Sequence, residues 1–437
     1  MVDWSRRPMG TQKCANLVEQ MAGLEPQRAQ RRNGVWGAPV KQGQKRLYSQ
    51  VDTVVVPTTA PNNKRYAPSD GGGFLLFQPD EIIQERYQLL TTIGEGNFGK
   101  VVKVLDIYDR TANTLAMKIT RNQEPFRVAG RREAEILERI RRHDTGGQSK
   151  CVELWAHFEW KGHYCLVFPK LGPSLYDTLK HNGHLPFSVE QIRHIAKQLI
   201  HGVHFIHELG YIHTDLKPEN ILFVQSDTGT QITQRPVKNS ETQWFRAPKG
   251  SLISQRTDTE IRIIDFGTTV HEGEAKHPKI QTQHYRAPEV LLELGWDHSS
   301  DIFSIGCIMY ELYSGSTLFQ TQDDREHLAM MIRTLGDIPR KMIRNSKLGH
   351  FDSDGRLLFD EHSSEGEFVR RYYKPLMELI REKDQSNKEV LALFDLIGRL
   401  LHYQPKHRFP LLPALSHNFF VRNSTTKQAR SGPKKNP

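Results

Sequence analysis

Three apolar runs with strand-like alternation, Tyr87–Ile93, Val101–Leu105 and Leu115–Ile119, precede every helical pattern in the chain. The first two are joined by a glycine-rich hexad, Gly94-Glu95-Gly96-Asn97-Phe98-Gly99. Only afterwards does the apolar spacing change to a helical period, at 127–142, 186–210, 299–313, 325–335 and 388–402. Strands grouped ahead of helices imply an α+β fold, with a small β-rich lobe over about residues 87–170 and a larger, mainly helical lobe over about 171–421. The polar stretches 225–260 and 340–376 are expected to be irregular inserts in the second lobe.

The hexad fits G-x-G-x-x-G, a pattern shared by two phosphate-binding arrangements. In a dinucleotide-binding turn the last glycine opens a helix. Here Lys100-Val101-Val102-Lys103-Val104 alternates like a strand, which favours a hairpin folded over nucleotide phosphates. Taken alone, the hexad also fits an ordinary flexible hairpin. Lys118 follows the last glycine by 19 residues, inside an apolar strand. An edge lysine pointing to water would explain it equally well, whereas a lysine facing a cleft needs an acid, because burying it unpaired is costly. The helical stretch offers Glu133 and Glu135; Glu133 is the expected partner, orienting Lys118 toward phosphate.

Ile212-His213-Thr214-Asp215-Leu216-Lys217-Pro218-Glu219-Asn220 carries the densest chemistry. Asp215 supplies a base for an incoming hydroxyl, Lys217 a cation for a moving phosphate, and Asn220 an oxygen for magnesium, the set that phosphoryl transfer needs. Asp265-Phe266-Gly267 follows the apolar run Ile261–Ile264, and a carboxylate at a strand end suits a magnesium ion shared with phosphate. Ala287-Pro288-Glu289 leaves residues 268–286 to shape a peptide-binding floor, with Glu289 expected to pair with Arg408 as a structural bridge. Asp301 is expected to brace the 213–220 loop, and Thr282 to hydrogen-bond Asp215 or Lys217. Each motif is weak alone; their common order is not.

Charge is concentrated at the ends. Residues 1–65 hold 11 Lys/Arg against 4 Asp/Glu, and 422–437 hold 5 against none, so of the net +10 the segment 66–421 carries −2. The region 1–80 is rich in polar residues, Gly and Pro, and is expected to be disordered, as is the tail 422–437. Basic tails fit a nuclear import signal, an acidic partner, an anionic membrane surface or nucleic acid, but they lack regular aromatic interleaving, so nucleic-acid binding is not the expected main function. The four cysteines show no paired-ligand spacing and fit reduced thiols of an intracellular protein. No signal peptide and no membrane span are expected.

These residues resemble the eukaryotic protein kinases over about 87–421. Within that family the chain is similar to the LAMMER, or Cdc2-like, dual-specificity kinases of the CMGC group. His213–Asn220 has their threonine where most kinases carry arginine. His284–Val290, Leu294-Gly295-Trp296, Asp360–Ser364, Val369-Arg370-Arg371 and Lys374-Pro375-Leu376 are similar to theirs, as is Glu326-His327-Leu328-Ala329-Met330-Met331-Ile332-Arg333. The usual glutamate of that last motif is Ile332 here. Leu328, Met331, Ile332 and Leu335 fall on one helical face, so the motif reads as core packing.

The resemblance implies a bilobal kinase using ATP and Mg2+, with Asp215 and Lys217 catalytic and Asn220 and Asp265 on the metal. It implies nucleotide contacts from Ile93, Gly94, Gly96, Phe98, Gly99, Val101, Lys118, Glu133 and Leu171. Phe168 is the implied gatekeeper, followed by Pro169-Lys170 where relatives usually begin with an acid. Substrates would be Ser/Thr of basic, Arg/Ser-rich proteins, with tyrosine autophosphorylation, in a nuclear and also cytoplasmic monomer with a role in RNA processing or nuclear regulation. No Arg-Ser repeats occur at this N-terminus. The alternatives are a dual-specificity tyrosine-regulated kinase, whose Tyr-x-Tyr is absent, and a pseudokinase scaffold.

Overall fold

The computed structural model describes residues 54–55, 68–110, 113–225, 231–233, 253–255, 258–274 and 276–421. The chain forms two compact units: Met1–Arg142 with Val152–Lys170, and His143–Cys151 with Leu171–Pro437.

The first unit is built on a seven-stranded sheet in the order β1-β6-β7-β5-β4-β3-β2. Its strands are β1 (Val54–Val55), β2 (Ile82–Ile83), β3 (Tyr87–Gly96), β4 (Gly99–Asp106), β5 (Thr114–Thr120), β6 (Ala156–Trp160) and β7 (His163–Pro169). Alternation puts Leu89, Val102, Val104, Met117, Cys165 and Val167 into one buried cluster on a face of this sheet. Helix α1 (Glu124–His143) buries Glu133, Ala134, Ile136, Leu137 and Ile140, a stripe at helical spacing.

Residues 68–80 correct the expectation of a disordered region reaching residue 80. Asp70 Oδ1 accepts the amides of Gly72 and Phe74, closing a turn. Leu75 then sinks to 2% exposure in the sheet's core cluster. The apolar quartet Phe74-Leu75-Leu76-Phe77, set among glycines and prolines, was the overlooked signal. Apart from Val54–Val55, residues 1–67 lie outside the described residues, as does the tail 422–437.

The second unit is mainly helical: α2 (Leu175–His181), α3 (Val189–Glu208), α4 (Ser299–Ser314), α5 (Asp324–Leu335), α6 (Ser364–Tyr372) and α7 (Lys388–Leu400), with shorter turns between. Side-chain caps start several of them. Ser188 and Gln191 form a reciprocal capping box on α3, Asp323 accepts two amides at α5, and Asn387 caps α7. Ile195, Leu199, Val203, Phe303, Ile308, Leu393 and Phe394 are all fully buried. Arg408 donates to both oxygens of Glu289 at 2.6 and 2.5 Å, the bridge expected from sequence. The stretch 340–376 contains α6 and a one-turn helix, Arg340–Asn345, so it is more regular than its polar sequence suggested. Most of the other insert lies outside the described residues; its Gln231–Thr233 and Ile253–Gln255 pair antiparallel. Among the described residues no helix is long and apolar enough to cross a membrane.

In α5 the buried stripe is shifted by one residue from the sequence expectation. His327, Met330, Met331 and Thr334 are buried at i, i+3, i+4 and i+7, with Leu328 beside them, while Ile332 and Leu335 are half-buried. The stripe was misread because it begins with a histidine. His327 is fully enclosed against the Phe319 ring at 5.1 Å. Burial pushes its pKa down to about 3, with Arg286 and His284 adding to the shift and Asp324 opposing it. The folded protein therefore holds this ring neutral. Its stabilisation is complete above the unfolded histidine pKa of about 6.5 and is lost progressively as pH falls below that value. The melting temperature of the His327→Leu protein should accordingly decline less between pH 7 and pH 5 than that of the parent. Equal declines in a pH-resolved thermal melt would remove His327 as a source of acid sensitivity.

Candidate active site

In the first unit, β3 and β4 form the glycine hairpin, with Gly94 opposite Val101 and Gly96 opposite Gly99. Gly99 is required by the fold: a Cβ there would lie 2.0 Å from the carbonyl oxygen of Ile119. Gly94 and Gly96 are different. A Cβ would meet only Val101 at the former and nothing within 4 Å at the latter. Neither glycine has positive φ, so packing and conformation leave both unexplained, whereas a phosphate approaching the backbone amides explains both.

Lys118 stands opposite Val101 across the β4–β5 ladder, so the two share a face. Its Nζ donates to Glu133 Oε2 at 2.6 Å, with side-chain exposures of 14% and 3%. Glu135 is exposed, which decides between the two candidate glutamates. The Phe98 ring lies 5.8 Å from Lys118 Nζ, Ile93 is exposed beside the hairpin, and Phe168 faces Ala116 on the neighbouring strand. Leu171 opens the other unit and is half-buried.

In the second unit, Tyr211–Ile212 pairs with Val270–His271, and the loop 213–220 leaves that short ladder. Asp301, 0% exposed on α4, accepts the amides of His213 at 2.8 Å and Thr214 at 3.0 Å and also bonds His207 Nε2. Burial opposes its charge, yet His207 and the His213 amide hold its pKa below the ordinary aspartate value. Asp301 thus braces the loop as expected.

The loop presents three polar groups, Asp215, Lys217 and Asn220, and Thr282 meets the first two. Asp215 Oδ2 accepts from Lys217 Nζ at 2.7 Å. Asp215 Oδ1 accepts from the Thr282 amide at 3.1 Å and the Thr282 hydroxyl at 2.6 Å. Lys217 also donates to Thr282 Oγ1, so the threonine bonds both expected partners. Burial works against the Lys217 charge, but Asp215, Glu219 and Asp265 hold its pKa above the lysine norm, and it stays an ammonium. Asn220 commits its amide nitrogen to the Asp215 carbonyl at 2.9 Å, which leaves its oxygen as the ligating atom. Asp265 follows the strand Ile261–Ile263, paired with Ile221–Phe223, and has φ of 65°. Among the described residues no cluster of three His, Cys, Asp or Glu side chains stands ready for a metal. A site with one amide and one carboxylate oxygen suits magnesium, which takes its remaining ligands from water and phosphate.

Thr214 is a β-branched residue at φ 69°, a conformation costing about 1–3 kcal/mol. Bonds around it hold that shape. Its amide is on Asp301, its hydroxyl donates to the Thr268 carbonyl at 2.8 Å, and its carbonyl accepts the Gln281 amide at 3.0 Å. Gln281, unnoticed in the sequence, then donates to Ser300 O and Ser304 Oγ and accepts the Ala287 amide. Arg286 donates to the carbonyls of Ile280 and Gln281. The segment between Asp265 and Ala287 is therefore tied near both ends by hydrogen bonds to carbonyls and side chains, with Arg286 and a Lys279–Asp324 ion pair adding to the hold.

Residues 87–420 match the protein kinase domain family, and the chain belongs to that family. Its relatives place it among the LAMMER, or Cdc2-like, kinases. It is 42% identical to the human dual specificity protein kinase CLK2 over 81% of this chain and 67% of the relative. It is 40% identical to human CLK4, over 82% and 70%. The Drosophila melanogaster serine/threonine-protein kinase Doa is 42% identical over 81% of this chain and 41% of its own length. A crystal structure of a kinase domain, 29% identical, matches 80% of this chain and 99% of its own with a TM-score of 0.70. The chain is accordingly a protein kinase, an enzyme that uses ATP, a divalent metal and protein substrates.

In many kinases an arginine beside the catalytic aspartate binds a phosphate on the activation segment. Thr214 has no charge to offer one, and residues 268–284 contain no Ser or Tyr. Protein stripped of phosphate over this segment, as verified by mass spectrometry, should keep its activity. Loss of most turnover after phosphatase treatment would contradict that expectation.

Proposed function

We propose that this kinase transfers the γ-phosphoryl group of ATP, with Mg2+, to Ser or Thr hydroxyls of basic, Arg/Ser-rich proteins, and autophosphorylates on tyrosine. The observation that carries the reading is the Asp215 carboxylate, held at one oxygen by Lys217 and at the other by Thr282, which also bond each other. That grip fixes the acceptor's direction without consuming every lone pair, since an ionised carboxylate offers about four acceptor sites.

Asp215 orients the substrate hydroxyl and takes its proton as the oxygen–phosphorus bond forms. Lys217 neutralises charge on the moving phosphoryl group. Lys118, fixed by Glu133, holds the α- and β-phosphates, and the amides of Gly94–Gly99 cover them. Ile93, Val101 and Leu171 supply apolar and backbone contacts to the nucleoside. Asn220 and Asp265 hold magnesium, which supplies charge neutralisation on the phosphate oxygens. Such a site works by positioning and fixed electrostatics, and every one of these positions carries a side chain competent for its role. That full occupancy argues against a pseudokinase scaffold.

The Arg/Ser preference rests on kinship with the Cdc2-like enzymes and a near-neutral catalytic segment beside basic ends. We further propose residence in the nucleus, a role in RNA processing, and action as a monomer.

The deciding assay compares an Arg/Ser-rich peptide with a proline-directed peptide, using Asp215→Asn protein as control. Phosphate should enter the Arg/Ser peptide preferentially, and the variant should lose about 10²–10⁴-fold in rate, since asparagine cannot take a proton. Preference for the proline-directed peptide would leave a kinase but discard the substrate assignment. Near-normal turnover by Asp215→Asn would discard the mechanism.

A further inference from the structure

Residues 68–86 form a strap on the first unit, and its contacts converge on the nucleotide loop. The strap's turn is pinned to the junction between β5 and α1. The Gly73 carbonyl accepts the Asn122 amide at 3.0 Å, Asn122 Nδ2 donates to Ser69 Oγ at 3.0 Å, and Gln123 Nε2 donates to Gly72 O at 3.2 Å. Gly73 has φ of 78°, and a Cβ there would fall 2.4–2.6 Å from the side chains of Asn122 and Gln123. The positive φ and the close approach of two side chains both favour glycine at this turn.

Pinning the turn places the Phe74 ring over the Arg121 guanidinium at 4.1 Å, with Lys100 Nζ at 5.4 Å. Arg121 lies at the same time 5.0 Å from the ring of Phe126, in the first turn of α1. Its Nε is buried without a hydrogen-bond partner among the described residues, so two aromatic faces contact this cation directly while Asp70 and Glu95 favour its charge from farther away. From there Arg121 reaches the tip of the glycine loop. Its amide donates to the Phe98 carbonyl at 3.0 Å, and its Nη2 to Asn97 Oδ1 at 3.4 Å. Phe98 in turn meets Phe126 edge-on at 6.2 Å. One arginine therefore joins strap, helix start and loop tip.

We propose that Phe74 is a positioning residue for nucleotide binding, acting through Arg121 to hold the 97–98 tip of the loop over the phosphates. The strap contributes no group to the reaction. It narrows the set of loop conformations, so ATP binds a loop already close to its working shape. This rests on the kinase reading above.

The test uses the full chain, with binding of a fluorescent ATP analogue and steady-state kinetics. Phe74→Leu removes the aromatic face but keeps apolar volume. It should raise the Kd of the analogue and the KM for ATP about fivefold, about 1 kcal/mol at 1.4 kcal/mol per tenfold, with the peptide KM unchanged. Phe74→Trp should restore both values, since it supplies a cation-binding face again. Combined with Arg121→Gln, Phe74→Leu should add nothing further. Unaltered ATP affinity in Phe74→Leu, failure of Phe74→Trp to restore it, or additive effects with Arg121→Gln would each overturn the proposal. So would equal rises in both KM values with a lowered melting temperature, the mark of a purely structural residue. A parent chain that bound no ATP would defeat the kinase reading itself, whereas binding indifferent to Phe74 defeats only the strap.

Discussion

The Asp301 carboxylate sits wholly inside the helical unit, and the shape of the catalytic loop depends on it. Its two oxygens take the amides of His213 and Thr214 and a ring nitrogen of His207. Removing it would leave two buried backbone donors unmet, at about 1–3 kcal/mol each. That is comparable to the cost of the left-handed Thr214, so the backbone would have every reason to relax. Relaxation there would turn Asp215, one residue on, away from Thr282. A carboxylate outside the proposed reacting set thereby sets the direction of Asp215, the group proposed to take the proton.

Two kinds of buried polar contact divide the labour around this loop. The Glu289–Arg408 pair is ionic and deeply enclosed, and such pairs punish the loss of one partner far more than they reward the presence of both. Arg408 also donates to Ser299 O and Tyr403 O, so it locks three chain segments into one register. Around Gln281 the bonds are neutral or carbonyl-directed, and they set local direction rather than global stability. Lys118 and Glu133 repeat the ionic arrangement in the first unit, where the strand and the first helix are held in register by one short bond.

Residues whose chemistry demands a side chain at a fixed spacing are legible in the sequence as candidates. Asp215, Lys217, Asn220, Asp265, Lys118 and Glu133 each stood in a string that says what the group must face. Thr282 and Asp301 were legible for the same reason, at one remove. Gln281, Arg121 and Phe74 were not, because their partners are fixed only by the fold: Ser300 and Ser304 arrive on a distant helix, and Phe74 meets Arg121 across 47 positions of chain. Helix α5 shows the opposite failure. Apolarity located the element but misplaced its inner face, since a neutral, enclosed histidine packs like a hydrophobe while scoring as a polar residue. The strand His163–Pro169 escaped because it is buried on both faces and lacks the alternation that marked the first three, whereas Ala156–Trp160 does alternate but is only five residues long.

The strand Ile82–Ile83 gives the enzyme's beginning a colloidal meaning. It pairs with Tyr87 and Gln88, and the Asp80 and Leu89 backbones add further bonds along the same margin of the sheet. A chain trimmed to begin at Tyr87, where the family match starts, would lose that cover and strip Leu75 from the core cluster. The outer side of Tyr87–Leu89 would then be a bare edge carrying unpaired amides and carbonyls, a template for another molecule's strand. Resistance to edge-to-edge association is therefore written into residues 68–86.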